Sequence, residues 1–443
     1  MVGCNRLPPN LLRSSFLINL DNLQEESITI ACASGEMFAY SIPVQCMFLS
    51  LDDIHPSDSA STNAHGIKCA SHSDTTNEPS DSSHVSLLSS SCSTACVCSF
   101  SSSACNYQFF SLSLTKGLSG HSGMDIHKGR AHAGLLLIRA LMAYFDEQTG
   151  LDISTTTNNP NTSDFTSEIN KLSHSSTQKS SLSLISFHSV EKINAIPGDA
   201  SCIFCIKKEE SEEITPKITK EMEAIMAEYR AIEPNLEWEL KEVDISYIIS
   251  NADRAKDVDV NNNSACLTCL TPLSSQKALS ILSLLPHGCI KNSFVFTDIP
   301  SLSTNLYYIH LNSMFVDANN NNSDKQICNS TEHSTITSSL PSFDISFFTR
   351  TMSKDISSAF TRYMSTTASL FSLIPRTVDN NSSYSSWNTS TSSRLFQCCR
   401  EAYTSVYGRD PPITAVHAGM LTVLSFFILL VLLALFRPFS FRL

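Results

Sequence analysis

Apolar and polar positions alternate along the chain in a way that separates short patterned blocks from polar, repetitive ones. Ser14 to Asp21 and Ser27 to Tyr40 carry Ile, Leu, Phe and Ala between polar flanks and predict strands. Tyr107 to Leu114, Leu184 to His188 and Ala200 to Ile206 read the same way. Leu236, Trp238 and Leu240 alternate with Glu237, Glu239 and Lys241, as a half-buried strand requires. Helical spacing appears over Gly129 to Glu147, with a crowded apolar face from Leu135 to Phe145. It returns over Pro216 to Arg230, where Ile218, Met222, Ile225 and Tyr229 recur at helical intervals. Ser275 to Leu285, entered through Thr271-Pro272, and Arg394 to Tyr407 complete the helices, and Ile413 to Val416 is a final strand. This interleaving predicts an α+β unit with helices on one face of an antiparallel sheet.

The intervening blocks have too few large apolar groups to offset the entropy of ordering. Residues 57–105 and 154–183 are therefore expected to be disordered insertions, and 251–264, 319–339 and 379–393 surface loops. Met420 to Phe436 behaves differently, running for 17 residues without a charge before Arg437. That is the short edge of a bilayer-spanning length, so a transmembrane helix and a membrane contact are expected there.

Composition narrows the partners. A net charge of −12 over 443 residues supplies no basic face for nucleic acid. Sixteen cysteines follow a start with no apolar leader, which suits free thiols in a reducing compartment. The pairs Cys202/Cys205 and Cys266/Cys269 do not suit a zinc knuckle. Strand alternation sends Cys202 and Cys205 to opposite faces, and the pairs lie about 60 residues apart.

Candidate chemistry concentrates in Gly117 to Arg130. Ser122 and Asp125 have capping-box spacing, which predicts a helix start there with His121 just ahead of its free N–H groups. A potentially cationic side chain at a helix N-terminus suits a bound carboxylate. Taken alone, a histidine in such a loop more often hydrogen-bonds its own backbone.

GLSGHSGMDIHKGRAHA (Gly117–Ala133) resembles the lid-domain signature of the aminoacyl-histidine dipeptidases, also called Xaa-His or cytosol non-specific dipeptidases. Further blocks resemble the same family in the same order. They are LINLDNLQEESITIACASG (Leu17–Gly35), EKINAIPGDA (Glu191–Ala200), EPNLEWELKEVD (Glu233–Asp244), LTPLSSQKALSILSLLPHGCI (Leu270–Ile290), STNL (Ser303–Leu306), FFTRTMSKD (Phe347–Asp355) and AVHAGM (Ala415–Met420). The resemblance implies an α/β and α+β architecture, with a partial aminopeptidase-like catalytic domain interrupted by a ferredoxin-like α+β lid. Residues 1–30 would be a remnant of the catalytic domain, 31–300 the lid or dimerisation-type domain with its insertions, and 301–419 the C-terminal part of the catalytic domain.

The family chemistry so implied is hydrolysis of Xaa-His and other dipeptides by a zinc-activated water between two zinc ions, in the cytoplasm. Homo- or hetero-dimers would form through the lid. Asp21 falls where the family has a carboxylate ligand to one zinc, and His417 where it has an imidazole ligand to the other. His121, Asn194 and Arg350 match positions implied to bind the substrate's C-terminal carboxylate and scissile carbonyl. The family's His-X-Asp motif, bridging Asp and Glu-Glu pair have no counterpart, and His55-Pro56-Ser57 is no substitute. The chain is thus expected to be N-terminally truncated relative to the family and inactive as written. After Gly419 the apolar tail replaces the family's Leu-Glu continuation, as if the reading frame slipped at Met420. The alternative reading is a non-catalytic, tail-anchored lid protein that pairs with a full-length relative.

Overall fold

The computed structural model describes residues 27–50, 96–146, 181–251, 265–296, 298–311, 314–317, 342–378 and 383–419. The expected strand Ser14 to Asp21, the expected zinc ligand Asp21 and the segment Met420 to Phe436 lie outside them.

The architecture is mixed α/β. The expected single strand from Ser27 to Tyr40 divides at the fully buried Ala33, whose N–H donates to the Val416 carbonyl. Before the break, β1 (Ile28–Cys32) lies between β15 (Trp387–Asn388), antiparallel, and β16 (Ile413–Val416), parallel. After it, β2 (Ser34–Ile42) joins a much larger sheet, pairing with β13 (Phe343–Thr351). Two consecutive strands therefore serve different sheets, because their backbone groups find partners hundreds of residues away.

Among the described residues the large sheet has nine strands, in the order β14-β2-β13-β11-β6-β7-β5-β8, with β10 also on β11. Its remaining strands are β5 (Tyr107–Thr115), β6 (Ser183–Val190), β7 (Ala200–Lys207), β8 (Glu237–Val243), β10 (Gly288–Asn292), β11 (Pro300–Leu311) and β14 (Ile374–Pro375). A four-stranded sheet, β12-β9-β3-β4, is built from β3 (Val44–Ser50), β4 (Cys96–Ser103), β9 (Ala265–Leu270) and β12 (Met314–Asp317). Strand β4 falls inside the expected insertion 57–105, where parallel pairing to β3 supplies backbone partners that composition does not reveal.

Helices α1 (Ala133–Asp146), α2 (Ser211–Tyr229), α4 (Pro272–Leu284) and α5 (Lys354–Leu370) share the main core with the large sheet. The apolar stripe of α2 is buried as its spacing predicts: Ile218, Met222 and Ile225 are fully inaccessible. The helix starts earlier than Pro216. The missing proline N–H falls on the carbonyl of Glu212, an exposed first-turn residue that water can satisfy. Thr271 caps α4 by accepting from the Ser274 N–H, with Pro272 at the first helical position. A second core includes Ile185, Ile203 and Cys205 of the large sheet, Met47, Leu49, Leu267 and Cys269 of the smaller one, and Ile248 of α3 (Ile245–Asn251). Cys202 packs in the main core and Cys205 in the second, each a free thiol, as alternation demands. Helix α6 (Arg394–Tyr407) buries only Phe396.

Two expectations need correction. No helix among the described residues is long and apolar enough to cross a membrane, against the transmembrane expectation, whose own segment Met420 to Phe436 lies outside them. The helix expected from Gly129 begins at Ala133, and residues 122–129 form turns instead.

Candidate functional site

The loop 117–132 is laced to the turn at 194–198 by main-chain bonds. Ser122 N–H donates to the Asn194 carbonyl at 2.8 Å, Ile196 N–H to Gly120 at 2.9 Å and Ala133 N–H to Pro197 at 2.9 Å. Glu233, 2% exposed, braces the loop from the far side. One carboxylate oxygen accepts from Leu118 N–H at 2.7 Å, and the other from Ala131 N–H at 3.0 Å. Asn305 Nδ2 ties the turn to β11 by donating to the Ala195 carbonyl at 2.7 Å. Two motifs remote in sequence thus form one rigid corner.

The cap in this loop is not the Ser122–Asp125 box. His121 is the capping position: its carbonyl accepts from Asp125 N–H at 2.8 Å, and the Asp125 carboxylate accepts from His121 N–H at 2.7 Å. Burial pushes the Asp125 carboxyl up, but bonds from Lys128 and the His121 N–H outweigh it and hold the group low. The His121 ring turns inward. Nδ1 accepts from Gly123 N–H at 3.0 Å and Met124 N–H at 3.3 Å, so the ring proton sits on Nε2. Burial and then the Arg350 charge lower its pKa, against a smaller opposing effect of Asp125. His121 is therefore a neutral donor through Nε2–H, not the cation that its position in the sequence suggests.

Arg350 stands on β13 directly opposite Ser303 of β11 and Gly35 of β2. It is 3% exposed, with its guanidinium 4.7 Å from the centre of the Phe348 ring. Nη1 donates to the Tyr384 hydroxyl at 2.7 Å and Nη2 to Ser122 Oγ at 3.4 Å, while Nε has no partner among the described residues. Among the described residues no carboxylate pairs with this cation. Tyr384 reaches it because Gly35 has no side chain; a Cβ there would lie 2.5 Å from the Tyr384 ring. Sequence reasoning missed Tyr384, which lies in a Ser- and Asn-rich run expected to be a surface loop.

His417, 3% exposed, follows β16. Its Nε2 lies 2.7 Å from Ser303 Oγ. Burial, then the charges of Arg350 and His127, push its pKa down to about 3, so the ring is neutral at physiological pH. The His417 turn packs on the loop around His121: a Cβ at Gly123 would collide with the His417 carbonyl oxygen and approach Ala418 and His121. The structure thus brings His121, Arg350 and His417 to one corner. Asn194 enters through its backbone carbonyl, with an exposed side chain.

Among the described residues no three His, Cys, Asp or Glu side chains converge to hold a metal, and of the two expected zinc ligands His417 lies among them and Asp21 does not.

No family model matches the chain, and no curated protein matches it. Among solved structures it is similar to aminoacylhistidine dipeptidase from Vibrio alginolyticus, with a TM-score of 0.55 and 17% identity over 95% of this chain and 58% of that one. A hydantoinase/carbamoylase family amidase from Burkholderia phymatum has a TM-score of 0.20 and 13% identity over 31% of this chain and 28% of that one. A further amidase of that type, from Burkholderia ambifaria, has a TM-score of 0.20 and 10% identity over 34% and 33%. At these identities the likeness is one of fold. The chain has the mixed α/β fold of the dipeptidase and spans 58% of that protein's length.

Proposed function

We propose that this chain binds short peptides by their C-terminal carboxylate at the Arg350–His121 corner, and does not hydrolyse them on its own. The observation that carries the reading is the buried Arg350 cation, which lacks a carboxylate partner among the described residues. Removing a guanidinium from water without a counter-ion costs several kcal/mol, which an anionic ligand would offset. Among the described residues the side-on edge of the guanidinium, Nε and Nη2, has only the 3.4 Å contact to Ser122. That edge matches the two oxygens of a carboxylate. Displacing Ser122 Oγ from it would admit the ligand, with the neutral His121 Nε2–H as an added donor. The fold shared with a dipeptidase supports a peptide as the carrier of that carboxylate.

Calorimetric titration with a histidine-containing dipeptide and with its C-terminal amide tests the reading. The acid should bind about tenfold or more tightly than the amide, and Arg350→Ala should abolish the difference. Equal affinity for acid and amide would refute carboxylate recognition. Incubation with zinc and carnosine-like dipeptides should release no more product than an Asp21→Ala control. Turnover above that control would replace the binding reading with an enzymatic one.

A further inference from the structure

Away from this corner, His188 of β6 and His310 of β11 occupy directly opposed register positions, so their side chains leave the same face of the sheet. Their rings stand nearly perpendicular, at 82°, and the two Nδ1 atoms lie 3.2 Å apart. A shared N–H···N bond uses one proton between them. Two imidazoles on one tetrahedral Zn2+ place their nitrogens about 3.3 Å apart, given Zn–N bonds of about 2.0–2.1 Å. The separation already suits either occupant.

We propose that His188 and His310 form a zinc-binding pair that staples β6 to β11. The proton on the donating Nδ1 moves to Nε2 of the same ring, and both freed Nδ1 lone pairs bind the cation. Imidazole nitrogens are borderline-soft donors that favour Zn2+ over Mg2+ or Ca2+. Water completes the coordination. Asp344 is opposite His310 on the other flanking strand, but its carboxylate is engaged by Ser41 at 2.6 Å and Arg376 at 3.0 Å. Among the described residues no third His, Cys, Asp or Glu joins the pair. The location gives the metal a mechanical role. Strand β11 holds β6 through four register pairs, against nine with β13 on its other edge.

The full chain, labelled with 15N-histidine, is titrated with Zn2+ buffered by a chelator, so that the other histidines and cysteines do not set the free concentration. Loss of one set of signals in His188→Gln and another in His310→Gln assigns the two rings. Both rings should respond with one shared midpoint at micromolar free Zn2+. Either substitution should raise the midpoint of the surviving ring about tenfold or more, and remove the zinc-dependent rise in thermal midpoint. Two unrelated midpoints, a midpoint of His310 unmoved by His188→Gln, or no response at millimolar Zn2+ would each overturn the site.

Discussion

Acidification should weaken the fold through buried neutral histidines, and His132 shows how much. This side chain is 3% exposed at the start of α1. Its Nδ1 accepts from Leu135 N–H at 3.2 Å, so Nε2–H donates to the Leu306 carbonyl at 2.6 Å. His287 closes the other half of that peptide gap, its Nδ1 accepting from Leu306 N–H at 3.3 Å. Both imidazoles thus replace ladder bonds where β11 has left β10 and not yet met β6. Burial lowers the His132 pKa to about 4, although its bond to the Leu306 carbonyl works in the opposite direction. Above about pH 6.5 the ring is neutral whether the chain is folded or not, and its contribution is complete. As pH falls from there toward about 4, the unfolded chain takes up a proton that the folded one refuses, so stability falls. Between pH 7 and pH 5 this amounts to about 2 kcal/mol for His132, and about as much again for His417. Glutamine at 132 keeps an N–H for the Leu306 carbonyl and cannot titrate. Urea unfolding of wild type and His132→Gln at the two pH values, followed by circular dichroism, should show a pH-dependent loss smaller by about 2 kcal/mol in the variant. An identical loss in both proteins would refute the assignment of a buried neutral ring.

The brace and the close contact in the binding corner have their own tests. Glu233→Gln leaves one oxygen for two backbone donors and should cost about 1–3 kcal/mol, with faster amide exchange at Leu118 and Ala131; unchanged protection would show that the carboxylate does not hold the loop. Gly123→Ala drives a methyl group into the His417 carbonyl and should destabilise by about 1–3 kcal/mol while weakening dipeptide binding. A wild-type melting point and affinity in that variant would mean that the two turns do not pack as described.

Elements whose causes are local were legible from residue order. The stripe of α2, the Thr271 cap and Pro272 start of α4, and the alternation of β8 depend on neighbours a few positions away. The last two formed within a turn of where their patterns placed them, and α2 kept its stripe while starting at Ser211, ahead of the expected Pro216. The candidate anion-binding residue types were also readable, because Arg350 and His121 sit in recognisable motifs. What stayed hidden was long-range. Composition in the 57–105 run does not reveal that β4 pairs with β3, and nothing in Ser27–Tyr40 marks Ala33 as the point where one strand becomes two. Tyr384 came to the site through a backbone bridge to Gly35, across more than three hundred residues.

Sequence by itself therefore marked helices α1, α2, α4 and α6, the alternation of β8 and the types of side chain available for binding, while α3 and α5 went unread. Tertiary structure decided sheet membership, the shift of the cap from Ser122 to His121, the neutral state of His121 and the burial of the Arg350 cation without a carboxylate partner among the described residues. The physical reason is that protonation and ion pairing depend on burial and on which charges lie nearby. Those are properties of chain segments brought together by folding, and no local spacing encodes them.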